Sequence, residues 1–201
     1  MENSMKHILI AAPTEREYRY IKSAVERAGS TRNDYTVICC GVGKAAAAAS
    51  VAAALASSGT PFDMVAVIGF AAGSAGLHQG DIVAPSAARY HDCNVPDGFV
   101  PELTDPYALA GGDGTTVFTG DSFVDKPIVE AVKERFGATR AIFDMEITAI
   151  AIAASLCGDV PVAAVKFISD VPEDGHTDLS YEEFADSHSD FAPLLKIIET
   201  L

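Results

Sequence analysis

Three carboxylates in this chain fall just past apolar runs that read as strands. Glu17 follows the run ending at Pro13, Glu146 follows Arg140 to Phe143, and Asp170 follows Val162 to Ile168, which contains Lys166. In α/β folds, ligand groups gather at the carboxyl ends of strands. Carboxyls in different environments divide labour: one stays protonated and donates a proton, while another stays ionised as a base or stabilises positive charge. Glycosyl transfer needs that division, because its transition state resembles an oxocarbenium ion and its leaving group needs a proton. Gly69-Phe70-Ala71-Ala72-Gly73, after another apolar run, and Ser169, beside Asp170, complete the set of strand-end groups.

Acids beyond strand ends also serve as helix N-caps or solvated surface groups, and Glu15 and Asp144 read that way. Thr14 followed by Glu17 has the spacing of a capping box. Gly41-Val42-Gly43-Lys44 lacks the GxxxxGK[ST] spacing of a phosphate loop and reads as a tight turn. His7, His78, His91, His176 and His188 show no metal-ligand spacing, so no metal is expected. There is no GxSxG elbow, and Cys39 and Cys40 lie in an apolar run that suits inert buried thiols.

The elements that must position these groups alternate. Strands are predicted at His7 to Ala12, Tyr35 to Cys40, Met64 to Gly69, Asp81 to Ala84, around Arg89, Thr116 to Thr119, Arg140 to Phe143 and Val162 to Ile168. Helices are predicted at Glu15 to Ala28, Lys44 to Ala56, Lys126 to Phe136, Glu146 to Leu156 and Tyr181 to Glu199. Asn94 to Gly114, rich in proline and glycine, reads as an exposed loop. This alternation predicts an α/β fold with helices on both faces of a largely parallel sheet. No repeat or linker divides the chain, so residues 1–201 are expected to form one domain.

The chain has 201 residues, 49% hydrophobic and 21% charged, which is long enough to bury a core without disulfides. Its four cysteines form no CxxC pair, which suits a reducing compartment. The net charge of −14, with fourteen Lys and Arg and no basic run, argues against nucleic acid and anionic membranes as partners. The first apolar run is too short for a signal peptide or membrane span, so a cytoplasmic location is expected.

Six segments resemble, in order and spacing, the methylthioadenosine/S-adenosylhomocysteine nucleosidases of the nucleoside phosphorylase superfamily. They are Cys40-Gly-Val-Gly-Lys-Ala-Ala-Ala-Ala48, Gly80-Asp-Ile-Val83, Ala88-Arg-Tyr-His-Asp92, Gly120-Asp-Ser-Phe123, Asp144-Met-Glu-Ile-Thr-Ala-Ile-Ala151 and Phe167-Ile-Ser-Asp170. The resemblance covers about Ile8 to Phe184. It implies a three-layer α/β/α sandwich around a mixed, partly barrel-like sheet, assembled as a homodimer whose partner loop helps close the site. It also implies hydrolysis of the N-glycosidic bond of a 5′-substituted adenosine, a small-molecule nucleoside, with no cofactor.

Carried over by the resemblance, Asp170 would protonate purine N7, with Ser169 orienting it, and Glu17 would activate the attacking water, with Glu15 as the fallback. Glu146 would bind the ribose hydroxyls and oppose the charge forming on the sugar, with Met145 packed against the ribose. Phe123 would stack on the purine, and the backbone of Val124 would bind its edge. Phe70, Ala71 and Lys166 are the remaining expected substrate-binding positions.

Those three positions depart from the family. Phe70 and Ala71 stand in a shortened glycine segment whose family counterpart carries a serine hydroxyl, and Lys166 replaces an arginine. Three alternatives stay open: futalosine hydrolase, a purine or uridine-type nucleoside phosphorylase, and a nucleoside-binding homologue without turnover. Against phosphorolysis, Val67 stands where the uridine phosphorylase branch carries an arginine.

Overall fold

The computed structural model describes residues 5–29, 33–96, 99–173 and 180–201. His176 lies outside the described residues. The strands are β1 (His7–Ala12), β2 (Asp34–Cys39), β3 (Met64–Gly73), β4 (Ile82–Val83), β5 (Ala87–Tyr90), β6 (Tyr107–Ala108), β7 (Thr116–Thr119), β8 (Ala141–Asp144) and β9 (Val162–Asp170). The helices are α1 (Glu15–Ala28), α2 (Lys44–Ser57), α3 (Pro101–Thr104), α4 (Lys126–Phe136), α5 (Ile147–Leu156), α6 (Tyr181–Ser187) and α7 (Ala192–Ile198).

The sheet runs β2-β1-β3-β8-β7-β5-β6, and β9 pairs with both β3 and β4. β3 has three partners. It lies parallel to β1 from Met64 to Val67 and parallel to β9 from Val65 onward, and its last two residues, Ala72 and Gly73, pair antiparallel with β8. A strand that changes neighbours along its length curls the sheet, which gives the mixed, half-barrel form expected.

Alternation along the central strands builds the layers. In β1, Ile8 and Ile10 face a core shared with Ile21 of α1, Phe184 of α6 and Leu194 of α7. Leu9 and Ala11 face the other core, with Ala47 and Val51 of α2 and Ile147 and Ile150 of α5. Because both faces are covered, these strands read as unbroken apolar runs. A third cluster packs Val129 and Val132 of α4 on Phe118 and Phe143.

Several sequence boundaries need correction. β3 continues through the segment expected to turn after Gly69. Its small residues let the backbone run on between β9 and β8, and a Cβ on Gly73 would press on Ile168 and Leu77. β9 likewise continues to Asp170. The expected helix from Tyr181 to Glu199 is two helices, α6 and α7. Pro193 has no N–H for the carbonyl four residues earlier, and Asp190 caps the Ala192 amide instead. The expected loop Asn94 to Gly114 contains α3 and β6, the latter paired antiparallel with β5. Among the described residues, no helix is long and apolar enough to cross a membrane.

Candidate active site

A pocket of about 200 Å³ opens where β1, β3, β8 and β9 end. Glu17 reaches it from the first turn of α1, as part of a complete capping box. Its amide donates to Thr14 Oγ1 at 3.2 Å, while the Thr14 amide and hydroxyl donate to Glu17 Oε2 at 3.0 and 2.6 Å. The Phe70 amide donates to the other oxygen, Oε1, at 2.9 Å. The capping role and the pocket position therefore belong to the same side chain, which is 2% exposed. Gly69 makes room for it, because a Cβ there would overlap the Glu17 carboxylate.

Glu146 occupies the N-cap position of α5, yet its side chain caps nothing there. Its Oε1 instead accepts the Gly43 amide at 3.0 Å, tying α5 to the glycine turn ahead of α2. Gly43 takes φ 88°, a conformation that favours glycine. Burial and the neighbouring Asp144 push the Glu146 carboxyl up to about 7, Lys166 and the Gly43 amide oppose the rise, and Glu17 adds to it.

Asp144, expected to be a cap or a solvated group, does cap α5, accepting the Ile147 amide at 2.9 Å. It is nonetheless buried and lines the pocket. Its other oxygen accepts the Thr119 hydroxyl at 2.6 Å, and Thr119 Oγ1 accepts the Thr148 amide and hydroxyl at 3.0 and 2.8 Å. Glu15 is exposed and does not line the pocket.

Asp170 ends β9 just past an irregularity in the β3–β9 register, where Ala71 pairs with Ile168 and Ala72 with Asp170. The extra residue, Ser169, is a bulge of the kind that re-aims side chains beside active sites. The Ser169 hydroxyl donates to Asp170 Oδ1 at 2.7 Å and lies 3.2 Å from the Ala71 carbonyl. Burial pushes the Asp170 carboxyl up, and the Ser169 hydroxyl opposes that rise.

Met145, Val124, Ala71, Phe70 and Phe123 also line the pocket, Phe123 at its mouth with 81% exposure. Phe70 contributes its amide, which donates to Glu17. Its ring packs among Phe167, Tyr181, Phe184 and Phe191 in the core below α6 and α7. Lys166 is the expected site residue that does not line the pocket. It is fully buried beneath the floor, with Nζ 3.8 Å from Asp144 Oδ2. Its position in β9 faces the α2 and α5 side of the sheet between Ala164 and Ile168, so its long side chain stays under the strand ends.

The sequence reading missed Tyr181 and Val42 as pocket residues, while Thr14 belongs to the strand-end stretch that runs to Glu17. Thr14 was visible as a cap, whereas nothing near Tyr181 in the chain connects it to the strand ends. Other motif residues act as scaffolding. Lys44 pairs with Asp92 at 2.8 Å and Asp121 at 3.2 Å, while the Lys44 and Asp121 amides donate to Asp121 and Asp92. This cluster holds the glycine turn against the Gly120 to Phe123 loop. Gly120 packs directly on the buried His91 ring, leaving no room for a Cβ.

Residues 112–199 match the Phosphorylase superfamily. A curled mixed sheet with acids grouped at its strand ends fits that superfamily, and it is the class of protein that fold and site define. A 5′-methylthioadenosine/S-adenosylhomocysteine nucleosidase from Haemophilus influenzae is 34% identical over 176 residues, covering 75% of this chain and 74% of its own length. The chain belongs to the methylthioadenosine/S-adenosylhomocysteine nucleosidase family.

Solved structures share the fold. An S-adenosylhomocysteine nucleosidase from Streptococcus pyogenes, in complex with 5-methylthiotubericidin, superposes with a TM-score of 0.79 at 21% identity, covering 98% of each chain. A nucleosidase of the same family from Neisseria meningitidis, in complex with methylthio-immucillin-A, gives 0.79 at 20% identity, covering 98% of this chain and 100% of its own.

Proposed function

We propose that this chain hydrolyses the N-glycosidic bond of 5′-methylthioadenosine and S-adenosylhomocysteine, releasing adenine and a 5-thioribose. The observation that carries the reading is one pocket holding carboxyls in two kinds of environment. Asp170 has a single hydroxyl partner and is held toward its protonated form by burial. Glu17 is held by three donors. Asp170 donates its proton to purine N7 as the bond from C1′ to N9 breaks. A water on the opposite face of the ribose, held by Glu17, adds to C1′ and passes a proton to the Glu17 carboxylate. Glu146, on the glycine-turn side, binds the ribose hydroxyls and opposes the positive charge on the sugar. Met145 packs on the ribose, and Phe123 and the Val124 backbone take the base.

Hydrolysis is favoured over phosphorolysis because, among the described residues, no lysine or arginine lines the pocket. Arg89 donates to the Thr104 carbonyl and stacks over Phe136, and Val67 is buried in β3. A phosphate site would need such cations. The proposal includes residues 1–201 acting as one domain in the cytoplasm, as a homodimer, in purine salvage.

The test is base release, followed by chromatography, from methylthioadenosine, S-adenosylhomocysteine, adenosine, inosine and futalosine, with and without phosphate. Adenine from the thio-substrates without phosphate supports the proposal. A phosphate requirement, release from futalosine alone, or no release from any substrate overturns it.

A further inference from the structure

Lys166 carries a charge into the interior of the molecule. Its side chain is wholly buried, and its Nζ makes no hydrogen bond among the described residues. Among the described residues its ion-pair partner is Asp144, at 3.8 Å, which is beyond hydrogen-bond range. A Cβ on Gly69 would lie 3.5 Å from Nζ and would also overlap Glu17, so the ammonium and that carboxylate converge on the same missing side chain. Glu17, Asp144 and Glu146 are all buried and all line the pocket above. Burying one cation under three acids costs desolvation that only its effect on those acids can offset.

We propose that Lys166 is a positioning residue: without touching substrate, its ammonium beneath Asp144 and Glu17 offsets the charge those two carboxylates place on Glu146 and keeps Glu146 ready to act on the sugar. The proposal rests on the glycosidase reading and goes beyond it by moving Lys166 from the substrate-binding set to the layer underneath.

The groups facing Glu146 come from every element around it. Asp144 on β8 and Glu17 on α1 disfavour its charge, while Lys166 on β9 and the Gly43 amide favour it. Cys40, after β2, and Tyr181, on α6, are influenced by Glu146, and burial holds both toward their neutral forms. Lys166 and Asp144 therefore pull in opposite directions, and their removal must have opposite signs. A side chain that merely filled space would give neither.

The experiment is the pH dependence of adenine release by Lys166→Met, Lys166→Arg and Asp144→Asn. Lys166→Met should move the acidic limb upward by about one pH unit, the low end of what a nearby opposite charge does to a carboxyl. Lys166→Arg should return it toward the wild-type position, and Asp144→Asn should move it downward. The same shifts are read without turnover from the pH at which thermal stability declines, so an inactive wild type would count against the glycosidase reading while this second profile still decides the proposal. If Lys166→Met does not fold, the Asp144→Asn/Lys166→Met variant removes the pair together, and its limb should return above that of Asp144→Asn alone toward the wild type. Profiles of Lys166→Met or Asp144→Asn that superpose on the wild type, or an arginine variant as displaced as the methionine one, overturn the proposal.

Discussion

The two ends of the pocket handle their carboxyls differently. At the β9 end, Asp170 has one hydroxyl partner, and burial alone drives its carboxyl upward. At the β8 end, Glu146 sits among charges, with Asp144 beside it, Lys166 beneath it and Glu17 across from it. One acid is pushed toward its protonated form by desolvation, while the other is balanced between like and opposite charges. Desolvation is insensitive to the state of neighbours, whereas a balance of charges is not, so the two ends should respond differently when partners are removed.

The largest test of that contrast is Asp170→Asn. It should lower kcat/KM for adenine release by about a thousandfold, the usual scale for losing a general acid, with little change in substrate affinity. A loss under tenfold would mean that the proton comes from elsewhere.

Glu146→Gln should cost about a hundredfold in rate, since it removes one charge opposing the forming cation. It should also change stability in a way that Glu146 alone predicts. Folding raises this carboxyl from 4.5 to about 7, so its contribution to stability is fully present below pH 4.5 and lost as the pH rises through about 7. Thermal melts of the wild type should decline across that window, and those of Glu146→Gln should decline less. Equal slopes would break the comparison.

The smallest effect is expected for Ser169→Ala. The hydroxyl holds Asp170 slightly down, so its loss should move the alkaline limb of the rate profile to higher pH while changing the maximal rate by less than about tenfold. No corresponding shift is expected in the acidic limb, because Ser169 is not among the groups acting on Glu146.

Much of this was legible in the sequence wherever the physics is local. Short unbroken apolar runs, the Thr14 to Glu17 spacing, and glycines where backbone turns or approaches closely all leave a mark within a few residues. Apart from β3 and the unexpected β6, the strands lie within one or two residues of the expected bounds. They were too short at Gly69 to Gly73, because small residues resemble a turn until two neighbouring strands are present to pair with them. The single expected C-terminal helix failed at one proline, whose missing donor matters more than the continuing apolar period.

What the sequence by itself determined is the alternation of elements, the three acids at strand ends and the order of motifs that marks the family. Tertiary structure alone decided that Asp144 is a buried pocket acid as well as a cap, that Lys166 lies under the floor, and that Tyr181 closes a wall from a distant helix. The reason is that burial and electrostatic environment depend on which strands become neighbours. In this fold that choice rests on β3 exchanging partners along its length, a long-range pairing that no local spacing encodes.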